Sequence, residues 1–153
     1  SKDASGFAAP ALLSRGVALV AVGYSIAPQG HMDEMVAQVR RSLVFLAQRF
    51  PDISGIYLCG HSAGAQLAAM VLSTDWAEYG AAPDIKGAVL VSGIYDLEPL
   101  VHTYVNEALG MSREVAQRNS PVRRVGPAGC AVLVAVAQHD SPEFRRQSHE
   151  YCE

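Results

Sequence analysis

One serine stands in a sequence setting that suits a nucleophile. The segment Gly60–Gly64 has the sequence Gly-His-Ser-Ala-Gly, follows a short apolar run and precedes an alanine-rich stretch that extends to Leu72. A strand, a sharp turn and a helix, with Ser62 at the turn, raise the serine hydroxyl above a sheet, where it can attack a carbonyl group. Gly60 and Gly64 are expected because the backbone there passes too close for a Cβ atom. The alternative is an ordinary Gly/Ser turn between buried elements.

A serine hydroxyl is a weak nucleophile unless a base accepts its proton and a carboxylate orients that base. Asp140 follows the last apolar run of the chain, at the edge where open α/β sheets place functional groups. We therefore assign the orienting carboxylate to Asp140. Two alternatives stay open. Asp140 with Glu143 also matches a capping box at a helix start, and Asp96 follows the preceding strand, although its neighbours Leu97 to Pro99 are more typical of a turn.

The anionic intermediate of acyl transfer needs backbone donors around its oxygen. The N–H of Ala63 directly follows the nucleophile and lies at a helix start, where the helix dipole favours negative charge. The second donor normally comes from a glycine-rich loop after another strand, and the chain contains no such His-Gly-Gly motif. We expect this second donor to lie outside the chain.

The sequence offers no suitable histidine at the position expected for the catalytic base. In this type of site the histidine follows the acid along the chain, and only His149 follows Asp140, inside what the sequence predicts as continuous helix. His61 is expected to point away from the hydroxyl of its neighbour, since adjacent side chains diverge at a sharp turn. The other histidines are expected at the surface or in packing positions: His31, His102 and His139.

The elements that must position these residues alternate along the chain. Apolar runs predict four strands: Val17–Val22, Gly55–Cys59, Gly87–Ser92 and Val132–Ala137. Helical spacing predicts helices over Ser5–Ser14, Asp33–Phe50, Ala63 to about Asp75, and Glu143 onward. This order predicts an α/β fold with a mostly parallel sheet and helices on both faces. An irregular insertion, Leu97–Val125, contains two predicted short helices, near Val101–Leu109 and Arg113–Asn119, and is expected to cap the site.

Composition narrows the function classes. The chain of 153 residues has the size of one domain, its net charge is −3, and it lacks a basic cluster, which disfavours nucleic-acid binding. Its apolar runs are strand-sized, so no membrane span is expected. The three cysteines lack ligand spacing and are expected to be buried thiols in a reducing compartment rather than metal ligands or disulfides: Cys59, Cys130 and Cys152.

The motifs together resemble the arylformamidases, also called kynurenine formamidases, which are α/β-hydrolases close to the hormone-sensitive-lipase-like esterases. The resemblance covers nearly all of the chain. Its most specific stretches are Ile56–Ala65, Leu67–Met70, Leu90–Gly93, Tyr95–Pro99, Gln117–Pro121 and Asp140–Phe144. It implies a partial α/β-hydrolase domain over residues 1–153, with the family's nucleophile at Ser62 and its acid at Asp140.

The resemblance also implies an activity. The family hydrolyses the aryl formamide N-formyl-L-kynurenine to L-kynurenine and formate in tryptophan catabolism, without a metal or an organic cofactor, in the cytoplasm and also the nucleus. Its oxyanion loop and its catalytic histidine correspond to segments beyond the two ends of this chain. We therefore expect the middle of a longer protein, without the first strands and the last strand and helix of the fold. The isolated polypeptide is then expected to aggregate or to fold only in part.

Two other functions stay open. A carboxylesterase of the hormone-sensitive-lipase-like group would use the same serine on small esters. A catalytically inactive truncated isoform would follow if the two ends were natural. The sequence predicts no oligomeric state.

Overall fold

The computed structural model describes residues 2–80, 82–124 and 129–153. Within those residues the sheet has three parallel strands in the order β1-β2-β3, which confirms the predicted parallel arrangement. The strands are β1 (Ile56–His61), β2 (Ile85–Val91) and β3 (Ala131–Ala135). All three carboxyl ends therefore lie at one edge of the sheet, where the candidate site residues follow.

The helices confirm most of the predicted elements to within a few residues. The α-helices are α1 (Ala9–Leu13), α2 (Met32–Arg49), α3 (Ala63–Leu72), α4 (Val105–Leu109), α5 (Arg113–Arg118) and α6 (Pro142–Cys152). Short 3-10 helices cover Lys2–Ala8, Trp76–Tyr79, Glu98–His102 and Pro121–Arg124. Among the helices of the described residues, none combines the length and the apolar character needed to cross a bilayer.

The strand predicted over Val17–Val22 is wrong. This run belongs to no strand of the described sheet, and the side chain of Val20 is 53% exposed. A strand is stable only when its N–H and C=O groups pair with a neighbouring strand. In the described part of the chain, the only backbone hydrogen bond of the run that lies outside regular elements joins Val17 N–H to Leu12 O. The run is apolar, as a buried strand would be, but the described residues provide no partner strand for it.

Helix α3 forms the centre of the core because all of its side chains except that of Gln66 are apolar. Its alanines pack on the inner face of the sheet, and its larger side chains pack against α2. Each large side chain buried in this way contributes about 1.5–3 kcal/mol. The buried residues of α3 that face α2 are Leu67, Met70 and Val71, and those that face the sheet are Ala65, Ala68 and Ala69.

The helices of the described residues pack on one face of the sheet, whereas the sequence predicted helices on both. Burial alternates along β1, with the side chains of Ile56 and Leu58 turned toward the core. On the other face, Tyr57 is 74% exposed and Leu133 is 58% exposed. Helix α1 has no buried residue and does not cover this face. The order of elements along the chain predicted a second helical layer, but the described residues do not form it.

The predicted short helices of the insertion are present, and two contacts tie them to the core. The guanidinium of Arg118 in α5 donates to both carboxylate oxygens of Asp33 in α2, at 2.9 and 2.6 Å. The buried Gln66 of α3 donates to the carbonyl of Asn119 at 2.8 Å. The insertion is thereby fixed beside α3, the helix that follows Ser62. Val125, its last predicted residue, lies outside the described residues.

Candidate active site

Ser62 lies at the tip of a strained turn between β1 and α3. Its backbone has φ 55° and ψ −120°, a conformation that costs a non-glycine residue about 1–3 kcal/mol. The surrounding elements fix it: the N–H of Ser62 donates to Val91 O at 2.9 Å, and its carbonyl accepts from Ala65 N at 3.0 Å and Gln66 N at 3.2 Å. The residue is partly exposed. Its hydroxyl group therefore stands at the carboxyl edge of the sheet.

The two glycines of the turn differ in their surroundings. A Cβ added to Gly60 would collide with the carbonyl group of Gly64 and would lie 2.6 Å from Ala65 N. Apart from its chain neighbours and the backbone of its own helix, a Cβ added to Gly64 would meet no described atom within 4 Å. The backbone was expected to pass too close for a Cβ at both glycines. The geometry agrees with this at Gly60 but not at Gly64. The reason is that the first turn of α3 passes over Gly60, whereas the Cβ position of Gly64 is open.

The start of α3 presents free backbone donors beside Ser62. No side chain caps this helix, and among the described residues the N–H groups of Ala63 and Gly64 have no backbone acceptor. Unpaired N–H groups at a helix start and the positive end of the helix dipole together favour an anion. Ala63 N–H is thus available as a donor to a negative oxygen.

Asp140 lies five positions beyond the end of β3, and its carboxylate is held by two donors. Oδ2 accepts from the hydroxyl of Ser92 at 2.6 Å and from the N–H of Ala137 at 3.0 Å. The Ser92 hydroxyl and then the Ala137 N–H lower the pKa of Asp140, and attraction to His61 and Arg145 adds to this effect. The carboxylate is therefore ionised at neutral pH.

Ser92 lies between β1, which leads to Ser62, and β3, which leads to Asp140, and sequence reasoning missed it. It follows β2 directly and lies between the ends of β1 and β3. Its N–H donates to Ala135 O at 2.7 Å, while the preceding carbonyl, of Val91, accepts from Ser62 N–H. The available signal was a serine directly after a buried strand, the same positional argument that selected Asp140.

The capping-box alternative for Asp140 does not match the geometry. Helix α6 begins at Pro142, and its N-cap is Ser141, whose hydroxyl accepts from Phe144 N at 3.4 Å. Glu143 bonds forward to Arg146 at 2.7 and 2.8 Å instead of back to the cap. Asp140 thus stands outside the cap, and its carboxylate faces Ser92.

Asp96, the alternative acid, is occupied by its own loop. Its Oδ1 accepts from Glu98 N at 3.0 Å and from the hydroxyl of Ser120 at 3.3 Å. These bonds close the turn that begins the insertion, as its sequence suggested. No contact joins it to Ser62 among the described residues.

A buried glutamine, which the sequence did not single out, fixes α6 against this loop. Gln147 is 5% exposed, and its Oε1 accepts from Tyr95 N at 2.7 Å and from Asp96 N at 2.9 Å. Its Nε2 donates to Asp96 O at 3.1 Å. Tyr151 of the same helix stacks on Tyr95 with ring centroids 4.2 Å apart. Helix α6 and the segment before it, which contains Asp140, are thereby anchored to the end of β2.

All five histidines are exposed, and none donates to Asp140. His149 lies within continuous α6, as predicted, with its ring 3.7 Å from Glu153. His61 follows Gly60 at the end of β1, close enough for its charge to affect the pKa of Asp140. The remaining three stand before α2, in the 3-10 helix Glu98–His102 and in the turn before Asp140: His31, His102 and His139.

The described residues contain no group of three His, Cys, Asp or Glu side chains that could hold a metal ion. The three cysteines are free thiols. The expectation that they are buried is wrong for Cys59 and Cys152, which are exposed, while Cys130 is partly buried. Cys59 lies on the uncovered face of β1, and Cys152 ends α6, which explains their exposure.

The sequence profile described as "alpha/beta hydrolase fold" matches residues 11–120. The chain therefore belongs to the α/β-hydrolase family. This assignment agrees with the parallel sheet, the serine turn and the helix that follows it.

Curated relatives indicate a more specific group within this family. The protein named kynurenine formamidase of Danio rerio is 64% identical over 156 residues, covering 99% of this chain and 53% of that protein. The kynurenine formamidase of Salmo salar is 60% identical over the same shares. The predicted resemblance to this group is confirmed. The chain spans about half the length of these curated relatives.

Solved structures agree on the fold. A proposed thioesterase from Silicibacter sp. TM1040 superimposes with a TM-score of 0.80 at 30% identity, covering 96% of this chain and 55% of that one. An esterase from Pyrobaculum calidifontis shares the fold, with a TM-score of 0.72 at 19% identity. The match covers 89% of this chain and 52% of that one.

Proposed function

We propose that the chain is the central part of a serine hydrolase that removes the formyl group of N-formyl-L-kynurenine, giving L-kynurenine and formate in tryptophan catabolism. The observation that carries the proposal is the arrangement of Ser62 and Asp140 at one sheet edge, joined through the end of β2. The identity to proteins named kynurenine formamidase selects the substrate class, an aryl formamide.

The reaction uses Ser62 as the nucleophile. Its oxygen attacks the formyl carbon while a base takes the hydroxyl proton, and the resulting oxyanion accepts from Ala63 N–H. The base then gives the proton to the leaving amine, the carbon–nitrogen bond breaks, and kynurenine departs. A water molecule next hydrolyses the formyl-serine, releasing formate and restoring the hydroxyl. Asp140 holds the base in the tautomer that accepts the proton.

Two parts of this machinery are assigned to the remainder of a longer protein. They are the base, a histidine, and the second oxyanion donor. Two observations support this: all five histidines of the chain are exposed and unbonded to Asp140, and the curated relatives are about twice as long. The 153 residues alone are therefore proposed to be inactive. The complete enzyme needs no metal or cofactor for these steps, and we place it in the cytoplasm and the nucleus.

A second candidate is a carboxylesterase that acts on small esters. It is favoured by the 30% identity, at a TM-score of 0.80, to a proposed thioesterase, since a thioester resembles an activated ester more than a formamide. Both candidates use Ser62 in the same way and differ only in the acyl group and the leaving group. A third, an inactive truncated isoform, applies if the chain exists alone in the cell, which the intact mass of the native protein would decide.

The test compares substrates on the full-length protein. We expect kcat/KM for N-formyl-L-kynurenine to exceed that for a short-chain nitrophenyl ester, with kynurenine and formate released in equal amounts. Ser62→Ala should abolish both activities, because it removes the attacking oxygen. A higher kcat/KM for the ester would favour the carboxylesterase. Full formamide turnover by Ser62→Ala would overturn the proposed function.

A further inference from the structure

The side chain of Ser92 is placed at the one carboxylate on which the proposed reaction depends. Ser92 is 6% exposed, and its hydroxyl donates to Asp140 Oδ2 at 2.6 Å. That distance lies within the range of a strong, charge-assisted bond from a hydroxyl to a carboxylate. The contact spans two neighbouring strand ends, 48 positions apart in the chain. It is therefore a tertiary bond within the candidate site.

The backbone of Ser92 is itself in a conformation that glycine would adopt more easily. Its φ is +48°, and Ser62 is the other described non-glycine residue with positive φ. The N–H bond to Ala135 O at 2.7 Å locks the residue against β3. Because a side chain at positive φ costs free energy that glycine avoids, the hydroxyl group offers a reason for a serine at this position.

The two bonds to Asp140 leave its oxygens unequal. Ser92 Oγ and Ala137 N both donate to Oδ2, and Oδ1 has no donor among the described residues. A carboxylate fixed through one oxygen presents the other in a defined direction. An imidazole N–H is the group that the proposed mechanism brings to that free oxygen.

We propose that Ser92 is a positioning residue, whose hydroxyl fixes Asp140 Oδ2 so that Oδ1 faces the catalytic base. This inference rests on the proposed function, since it needs a base at Oδ1. Ser92 itself touches neither the substrate nor the reacting atoms. Its effect is on the orientation of the base and on the acidity of the Asp140–base pair.

The loss of the Ser92 hydroxyl should change the pKa of Asp140 in a defined direction. Without its donor, Asp140 becomes a stronger base, and its pKa rises. A more basic carboxylate also raises the pKa of an imidazole that it contacts, so both changes move the acidic limb of the kcat/KM profile to higher pH. The other charged groups that act on Asp140 are His61, at the end of β1, and Arg145, on α6, and both remain in the variants.

The experiment uses Ser92→Ala and Ser92→Gly in the full-length protein, with Ser73→Ala as the control. Glycine suits φ +48°, so this variant keeps the backbone even if the alanine variant does not fold. Ser73, at the far end of α3, donates to Met70 O at 3.2 Å and is remote from the sheet edge. Ser73→Ala therefore removes an equivalent hydroxyl that makes no contact with Asp140.

We expect both Ser92 variants to lower kcat about 10- to 100-fold, the range for a lost hydrogen bond to a charged group, while KM stays within about twofold. The acidic limb should move to higher pH in both, and Ser73→Ala should behave as wild type. An unmoved limb, or a loss that merely follows the fraction of folded protein, overturns the inference. Formamide turnover by Ser62→Ala would instead overturn the proposed function, which distinguishes the two failures.

Discussion

The two glycines that flank Ser62 provide a matched pair of substitutions with opposite expected outcomes. A Cβ at Gly60 would lie 2.6 Å from Ala65 N and would collide with the carbonyl of Gly64. Because non-bonded heavy atoms rest about 3.5 Å apart, the first turn of α3 must move by roughly 1 Å. Among the described residues, a Cβ at Gly64 would meet nothing within 4 Å apart from its chain neighbours and the backbone of its own helix.

The magnitudes follow from that displacement. Gly60→Ala should lower the free energy of unfolding by about 1–3 kcal/mol, as overpacking does. It should also lower kcat/KM by about 100-fold, because the move displaces Ser62 and Ala63 N–H by roughly 1 Å. Gly64→Ala should retain the stability or raise it by up to about 1 kcal/mol, since alanine favours the helix.

The assay is urea unfolding of the full-length protein, followed by fluorescence, together with formamide hydrolysis by the folded variants. Both substitutions add the same methyl group to the same turn, so a general effect of side-chain size cancels in the comparison. Equal losses for the two variants would refute the reasoning, because the geometry distinguishes them. A larger loss for Gly64→Ala would refute it more strongly.

Three further outcomes are expected. Gln147→Ala should lower the free energy of unfolding by about 2–5 kcal/mol in urea titration, because the buried N–H of Tyr95 and the partly buried N–H of Asp96 lose their acceptor. The substitution Gln48→Ala, at an exposed position, should change it little. Glu143→Gln should lower the free energy of unfolding at pH 7, because bonds from Arg146 and Gln147 lower the pKa of Glu143 to about 2. The difference in this free energy between variant and wild type should shrink as the pH falls below the ordinary glutamate range toward 2. A difference that stays constant with pH would contradict this. The 153-residue polypeptide alone should aggregate or unfold without a cooperative transition, because apolar side chains of its sheet lie exposed; a monomer with a sharp calorimetric transition would contradict this.

Local patterns predicted the elements whose signals are local. The spacing of Met35, Val39 and Leu43 predicted α2 to within a residue at each end, and the Gly-His-Ser-Ala-Gly segment predicted the strand, turn and helix around Ser62. Such signals depend on the spacing of apolar residues and on turn-forming residues, and both can be read from a single segment of the sequence.

The failures come from pairing, which no single segment determines. Val17–Val22 has the composition of a buried strand but no neighbour among the described residues, and the outer face of the sheet, with Tyr57, is uncovered for a similar reason. Ser92 was missed because its contact with Asp140 joins positions 48 apart. A serine in a sequence does not reveal such a contact, since it appears only when β2 and β3 are placed side by side.

The proposal that Ser62 is the nucleophile can be tested directly by covalent labelling. The full-length protein is treated with a fluorophosphonate, and the modified peptide is mapped by mass spectrometry for the wild type and for Asp140→Asn. A single adduct on Ser62 is expected, with labelling slowed by about 10³- to 10⁴-fold in the Asp140 variant, because the base loses its orienting carboxylate. An adduct on another residue, or equal labelling rates in the two proteins, would contradict the account.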